Sequence, residues 1–218
     1  LEFSAIHTAG AVENVERLDD PKDVANVGLT YGLALEGGEK DGIYSLGSVS
    51  YEPIWILYNK KKVGEIKTLA ELSQKKIGLG PVQSGSYRIA KKVFELANIK
   101  VDDNPNFSSD SIQANQAKLK NGDIDGVILV STNLDPVTRD LLRTPNIEVF
   151  DFKNAPAYAK QINSFVTLTL PADSVSIPNQ IPQKDVTLLA TTASLVVERA
   201  MHPDLQLAIL MAAKDANR

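Results

Sequence analysis

The stretch Lys76-Ile77-Gly78-Leu79-Gly80-Pro81-Val82-Gln83-Ser84-Gly85-Ser86-Tyr87-Arg88 decides the fold. Its first five residues, KIGLG, read as a short buried strand. A polar, glycine-containing turn follows at Pro81–Ser86. A helix then runs from about Tyr87 to Ala97, with Ile89, Val93, Leu96 and Ala97 on one face. The alternation continues downstream. Phe107-Ser108 closes a short strand, and a helix spans Asp110–Lys120 with Ile112, Ala117 and Leu119 as core candidates. Asn121-Gly122 ends that helix. The run IDGVILV at 124–130 fits a strand buried on both faces. Pro136–Leu142 is a helix with proline in its first turn, and Ile147–Phe152 is a strand. Strands alternating with helices in this way predict an α/β fold with a parallel sheet covered on both sides.

Upstream, Thr68 followed by Glu71 matches a capping box and starts a short helix to Gln74. NKKKVG at 59–64 reads as a solvated turn. Ile43–Val49 and Ile54–Tyr58 read as two strands separated by Ser50-Tyr51-Glu52-Pro53. Glu2–Thr8 reads as a strand, VENVERL as a short helix and DVANVGL as a strand. Downstream, Ala157–Ile162 is a helix and Phe165–Leu170 a strand. The segment Asp173–Gln183, with Pro178 and Pro182, reads as an extended surface crossing. Val186–Val197 is long enough for two strand segments or one long strand. The last helix, Leu205–Ala216, is nearly all apolar, so it is expected to be heavily buried or to rest against a further segment. The chain opens straight into a strand-like run and closes inside a helical one, which reads as a fragment of a longer mature protein.

Composition narrows the function classes. The 218 residues are 43% hydrophobic and 23% charged, as expected for a packed core. The net charge of -4 argues against non-specific nucleic-acid binding. Cysteine is absent, so there is no disulfide framework and no thiolate chemistry. Two distant histidines, His7 and His202, do not make a zinc site, and no metal or cofactor is expected. No run approaches the length of a membrane span, so this chain is not expected to insert in a membrane.

Four places could carry chemistry. Thr8-Ala9-Gly10-Ala11-Val12-Glu13-Asn14 joins a strand to a helix start, where free amides favour an anion, or it is an ordinary capped connection. The turn through Ser84, Gly85 and Ser86 offers hydroxyls and close backbone approach. Arg88 just beyond it can pair with a carboxylate or simply face solvent. The turn lacks the lysine of a nucleotide-binding loop. Ser131, Thr132 and Asn133 sit at the carboxyl end of the buried strand, where open α/β sheets bind ligands and where helix caps are also common. Tyr51, with Glu52 and Trp55, can wall a pocket, and Tyr31 is a weaker candidate of the same kind. No histidine sits in a recognisable base motif, so binding is favoured over catalysis.

In order and spacing these motifs resemble the TAXI-type periplasmic solute receptors of TRAP transporters, and more broadly the type II periplasmic-binding-protein fold. The Thr8–Asn14 stretch matches that family's Thr-x-Gly-Ser-x-Glu-Asn motif, with Ala11 where serine is usual. Tyr51–Leu57 matches a proline-containing crossing into a strand, Lys67–Leu72 a short helix, and Gly80–Ser86 a Gly-Pro-x-x-Ser-Gly-Ser/Thr turn. The likeness continues loosely through Asn121–Gly126 and Thr192–Val197 and covers essentially the whole chain. The family's usual opening strand, turn and helix have no counterpart here, and Gly28-Leu29-Thr30-Tyr31 departs from the commoner pattern.

The resemblance implies a two-lobed clamp, each lobe a mostly parallel sheet flanked by helices. One lobe comprises residues 1–55 plus 190–218 and the other 56–189, with hinge crossings near 50–58 and 163–197. A ligand would lie in the cleft. Thr8, Gly10, Asn14, Tyr31, Tyr51, Ser84, Gly85, Ser86, Arg88, Ser131, Thr132 and Asn133 are the expected ligand-binding residues. It further implies a periplasmic or otherwise extracytoplasmic receptor. Such a receptor would capture a small organic acid or acidic amino acid and deliver it to the membrane subunits of a transporter. A ligand-sensing regulatory domain of the same fold is the alternative. An α/β enzyme acting on a phosphorylated substrate at the Ser84–Ser86 turn is a third.

Overall fold

The computed structural model describes residues 4–8, 10–32, 42–131 and 135–216. Along the chain it forms α1 (Ala11–Asp19), β1 (Val27–Tyr31), β2 (Ile43–Asn59), α2 (Lys60–Val63) and α3 (Leu69–Leu72). Then come β3 (Ile77–Gly78), α4 (Gly85–Leu96), β4 (Phe107–Ser108), α5 (Ile112–Asn121), β5 (Gly126–Val130) and α6 (Pro136–Leu142). The last elements are β6 (Ile147–Val149), α7 (Ala155–Gln161), β7 (Phe165–Leu170), β8 (Val186–Glu198) and α8 (Pro203–Ala216). The chain divides into two compact α/β units. Its first unit comprises Leu1–Tyr51, Gln83–Gly85 and Thr192–Arg218, its second Glu52–Val82 and Ser86–Thr191. Both β2 and β8 contribute residues to each unit.

The second unit grows from the stretch that opened the sequence reading. β3 runs parallel to β4 and to β5. Every residue of β5 is buried, because helices and strands cover both faces. The rest of that sheet departs from the mostly parallel arrangement expected. β2 lies antiparallel to β5, pairing Ile54 with Val130, and antiparallel to β6 on its other side. β7 runs antiparallel to β8. The sheets are therefore mixed: helical crossovers leave β3, β4 and β5 parallel, while β2 enters from the other unit in the opposite direction. Trp55, Leu57, Leu119, Leu129 and Leu141 meet in the core of this unit. Trp55 is completely buried there, and its indole N–H has no hydrogen-bond partner among the described residues.

Local rules explain the helices. Thr68 accepts from the Glu71 amide at 3.1 Å, and the Glu71 carboxylate reaches back to the Lys67 amide at 2.8 Å, a capping box on α3. The Ser111 hydroxyl caps α5, and Gly122 ends it in the left-handed conformation. α4 buries Ile89, Ala90, Val93 and Phe94, and Phe94 meets Phe107 of β4 at a 4.8 Å ring separation. The lysine run that reads as a turn instead makes the short α2, because the Asn59 side chain accepts from the Lys62 amide. The two strands expected on either side of Pro53 are one strand of 17 residues. Proline is tolerated there because its missing N–H is not needed, while its carbonyl accepts from Ser131 at 3.5 Å. Residues 173–183 turn back on themselves, bridging Ser176 to Ile181.

In the first unit, α1 buries Ala11, Val15 and Leu18 and packs on β1. β1 pairs antiparallel with β8, Val27 opposite Val197 and Tyr31 opposite Ala193. β8 is hydrogen-bonded to β2 on its other side. The strand expected at Glu2–Thr8 is not formed over its described part, as Ser4–Thr8 joins no sheet. Of the two expectations for the last helix, heavy burial is not met. Leu207, Leu210 and Met211 of α8 are exposed. The apolar residues of α8 occupy more than one face, and only the side carrying Leu205, Ala208, Ile209 and Ala212 lines a cavity of about 840 Å³ in this unit.

Candidate functional site

The amino-terminal end of α4 is the centre of the candidate site. A helix start presents amides with no intrahelical acceptor, and the summed peptide dipoles make it an anion site. α4 has no acidic residue in its first turn, so nothing on the helix opposes a negative ligand there. Gly85 opens the helix. A Cβ at that position would overlap the Cε2 atom of Tyr31, so the backbone lies flush against the tyrosine ring. Both residues belong to the first unit, and Ser84 lies beside them.

The first unit also brings together Thr8, Gly10 and Asn14. The Thr8 hydroxyl donates to Asn14 Oδ1 at 2.6 Å, and Asn14 Nδ2 donates to the Leu29 carbonyl at 2.8 Å. Asn14 thus ties the segment before α1 to strand β1. The Thr8 hydroxyl hydrogen is spent on that tie, while Asn14 keeps its second amide hydrogen. Gly10 caps α1 with φ 130 and ψ -163, a conformation open essentially to glycine alone. It supplies no side-chain cap. Glu13 lies in that first turn, within 3.8 Å of Arg17. Its negative charge makes the start of α1 a poorer anion site than the start of α4. Tyr51 is exposed.

In the second unit, buried Ser86 accepts from the Val130 amide at 3.1 Å. That bond uses an oxygen lone pair and leaves the hydroxyl hydrogen to donate. It fastens the first turn of α4 to the carboxyl end of β5. Ser131, the next residue, donates to Asp135 Oδ2 at 2.6 Å and lies 3.3 Å from the buried Thr138 hydroxyl. Asp135 also caps α6 by accepting from the amides of Val137 and Thr138. Burial favours the neutral acid at Asp135, but the bonds from Ser131, Thr138 and Val137 outweigh it and hold the carboxyl below its ordinary range. Arg88 is exposed. Thr132 and Asn133 lie outside the described residues.

The sequence reading missed Asp135 and Thr138, although Asp-Pro at a helix start is a recognisable cap signal. Of the two readings open at Ser131, ligand site or helix cap, its bond to the α6 cap residue Asp135 matches the second. Among the described residues, no group of three or more His, Asp or Glu side chains is placed to hold a metal ion. No helix among them is long and apolar enough to cross a membrane.

Two α/β units with a helix start of this kind define a ligand-binding module of the periplasmic-binding-protein superfamily. A family model described as "NMT1-like family" matches residues 1–213, and the chain belongs to that family. The family is a class of binding proteins rather than catalysts, and with the fold it supports an extracytoplasmic location. No curated protein matches the chain.

Among solved structures, it is similar to the CcmR regulatory domain of Synechocystis PCC6803 in complex with 2-PG. The identity is 9% and the TM-score 0.57, over 96% of this chain and 80% of that one. It is also similar to the periplasmic aliphatic sulphonate binding protein SsuA from Escherichia coli. There the identity is 14% and the TM-score 0.58, over 96% of this chain and 60% of that one. The effector binding domain of QuiR in complex with shikimate matches at 10% identity and TM-score 0.54, over 94% of this chain and 76% of that one. These likenesses concern the fold.

Proposed function

We propose that the chain is an extracytoplasmic solute-binding receptor that captures a small organic acid or acidic amino acid for a TRAP-type transporter. The observation that carries this reading is the start of α4: amides with no acidic residue in the first turn, at a glycine packed flush on Tyr31. The ligand's carboxylate accepts from those amides and from Ser84 and Ser86. Arg88 balances its charge. Tyr31 and Tyr51 wall the ligand, and Thr8, Gly10, Asn14, Ser131, Thr132 and Asn133 complete the proposed set. The Thr8 and Ser131 hydroxyls serve by positioning their neighbours, since their hydrogens are already bonded. The stretches of β2 and β8 shared by the two units are the proposed hinge, near 50–58 and within 163–197.

Titration calorimetry against a panel of dicarboxylates and acidic amino acids tests the ligand class. Binding of one of them, weakened at least about tenfold by Ser84→Ala together with Ser86→Ala, is expected. Heat from none of them sinks the reading. A second reading is an effector-sensing regulatory domain, since two of the structures with this fold are described as a regulatory domain and an effector binding domain. An export signal encoded ahead of residue 1 supports the receptor. A fused DNA-binding segment supports the sensor.

A further inference from the structure

We propose that α8 is a self-association surface through which two copies of this chain pair about a two-fold axis. Asp204, Leu207, Met211 and Lys214 follow a three-four-three spacing, so they form one stripe along α8. The stripe is in the open: Leu207 is 58% and Met211 59% exposed, and Leu210 flanks them. The residues that line the cavity, Leu205, Ala208, Ile209 and Ala212, lie on another side of the helix. Two long apolar side chains at that exposure are costly to leave in water.

The occupant follows from the order of residues in the stripe. It carries an acid at its amino end, a cation at its carboxyl end and two large apolar side chains between, placed symmetrically about residue 209. Run antiparallel against a second α8 about that point, Leu207 meets the partner's Met211. Asp204 then meets the partner's Lys214, and the same pairs recur at the other end. A two-fold interface requires self-complementarity of this kind. Antiparallel packing also opposes the two helix dipoles favourably. His202 Nδ1 lies 3.6 Å from Asp204 Oδ2 within one copy, and the Asp204 side chain is still 91% exposed, so its outer side is available. A lipid surface fits less well, because the stripe carries one charge of each sign and no basic excess.

Sedimentation equilibrium of the purified chain tests the proposal. A monomer–dimer equilibrium with Kd on the order of micromolar to millimolar is expected for so small a contact. Met211→Lys should weaken it at least about tenfold, with the circular dichroism spectrum unchanged. Asp204→Lys alone and Lys214→Asp alone each place like charges across the axis, and each should lose the dimer. Mixed together, the two variants should associate as a heterodimer, because every end then pairs Lys with Asp. Three results would overturn the proposal: a wild-type chain monomeric up to about 1 mM, a dimer insensitive to Met211→Lys, or a mixture that associates no better than its components.

Discussion

Gly85 and Tyr31 form the tightest packing at the candidate site, and the cost of disturbing them is separable from any ligand. Gly85 does not need an unusual backbone angle, so alanine there fails for want of space rather than conformation. Gly85→Ala should destabilise the chain by about 1–3 kcal/mol, read from the urea midpoint. In a Tyr31→Ala background the added cost should largely vanish, since the obstructing ring is gone. Additive losses would mean that Tyr31 is not what fills the space. Asp135 is the second informative residue. Asp135→Ala removes the α6 cap and releases Ser131, and should cost about 1–2 kcal/mol. The sequence makes Ser131 visible as a polar residue at a strand end. It does not show that an acceptor four positions later claims its hydrogen, because that depends on the turn between β5 and α6. The bond from Thr8 to Asn14 is hidden in the same way, its partner coming into reach only when α1 starts at Ala11.

Elements whose signals are local were legible in full. α3 with its Thr68–Glu71 box, α5 ended by Gly122, and α6 started by Pro136 all follow from side chains within four residues of one another. Thr68→Ala should therefore cost about 1 kcal/mol, seen as a lower thermal midpoint, and Thr68→Ser should restore most of it. Elements that depend on distant neighbours were less legible. β2 continues through Pro53 because its partners leave that position without an acceptor to satisfy, which no local rule reports. The composition of α8 pointed to burial or to a further segment against it. Burial depends on what lies next to a helix, and most of the apolar surface of α8 has no neighbour among the described residues of its unit.

At the scale of the whole molecule, the buried carboxylate of Asp125 and the half-buried one of Asp135 set the response to acid. Asp125 is disfavoured as an anion by burial, yet Lys62 at 2.7 Å and the Lys76 amide at 2.8 Å hold its carboxyl below the ordinary range, as the α6 cap does for Asp135. A carboxyl depressed in the folded state contributes stability above its unfolded pKa and loses it as pH falls through the folded value. The melting temperature should therefore be level near neutrality and fall below about pH 4. Asp125→Asn should lower stability at neutral pH by about 1–2 kcal/mol and flatten that fall. An acid limb as steep in Asp125→Asn as in the parent chain would count against this account. The single tryptophan supplies a convenient optical window on such experiments. Trp55 lies in the dry interior of the second unit, its indole N–H without a partner, so its emission should be blue-shifted and should redden when that interior takes up water. The first unit holds no indole of its own. Loss of its strands and helices with little change in colour would reveal a melting step that fluorescence alone passes over.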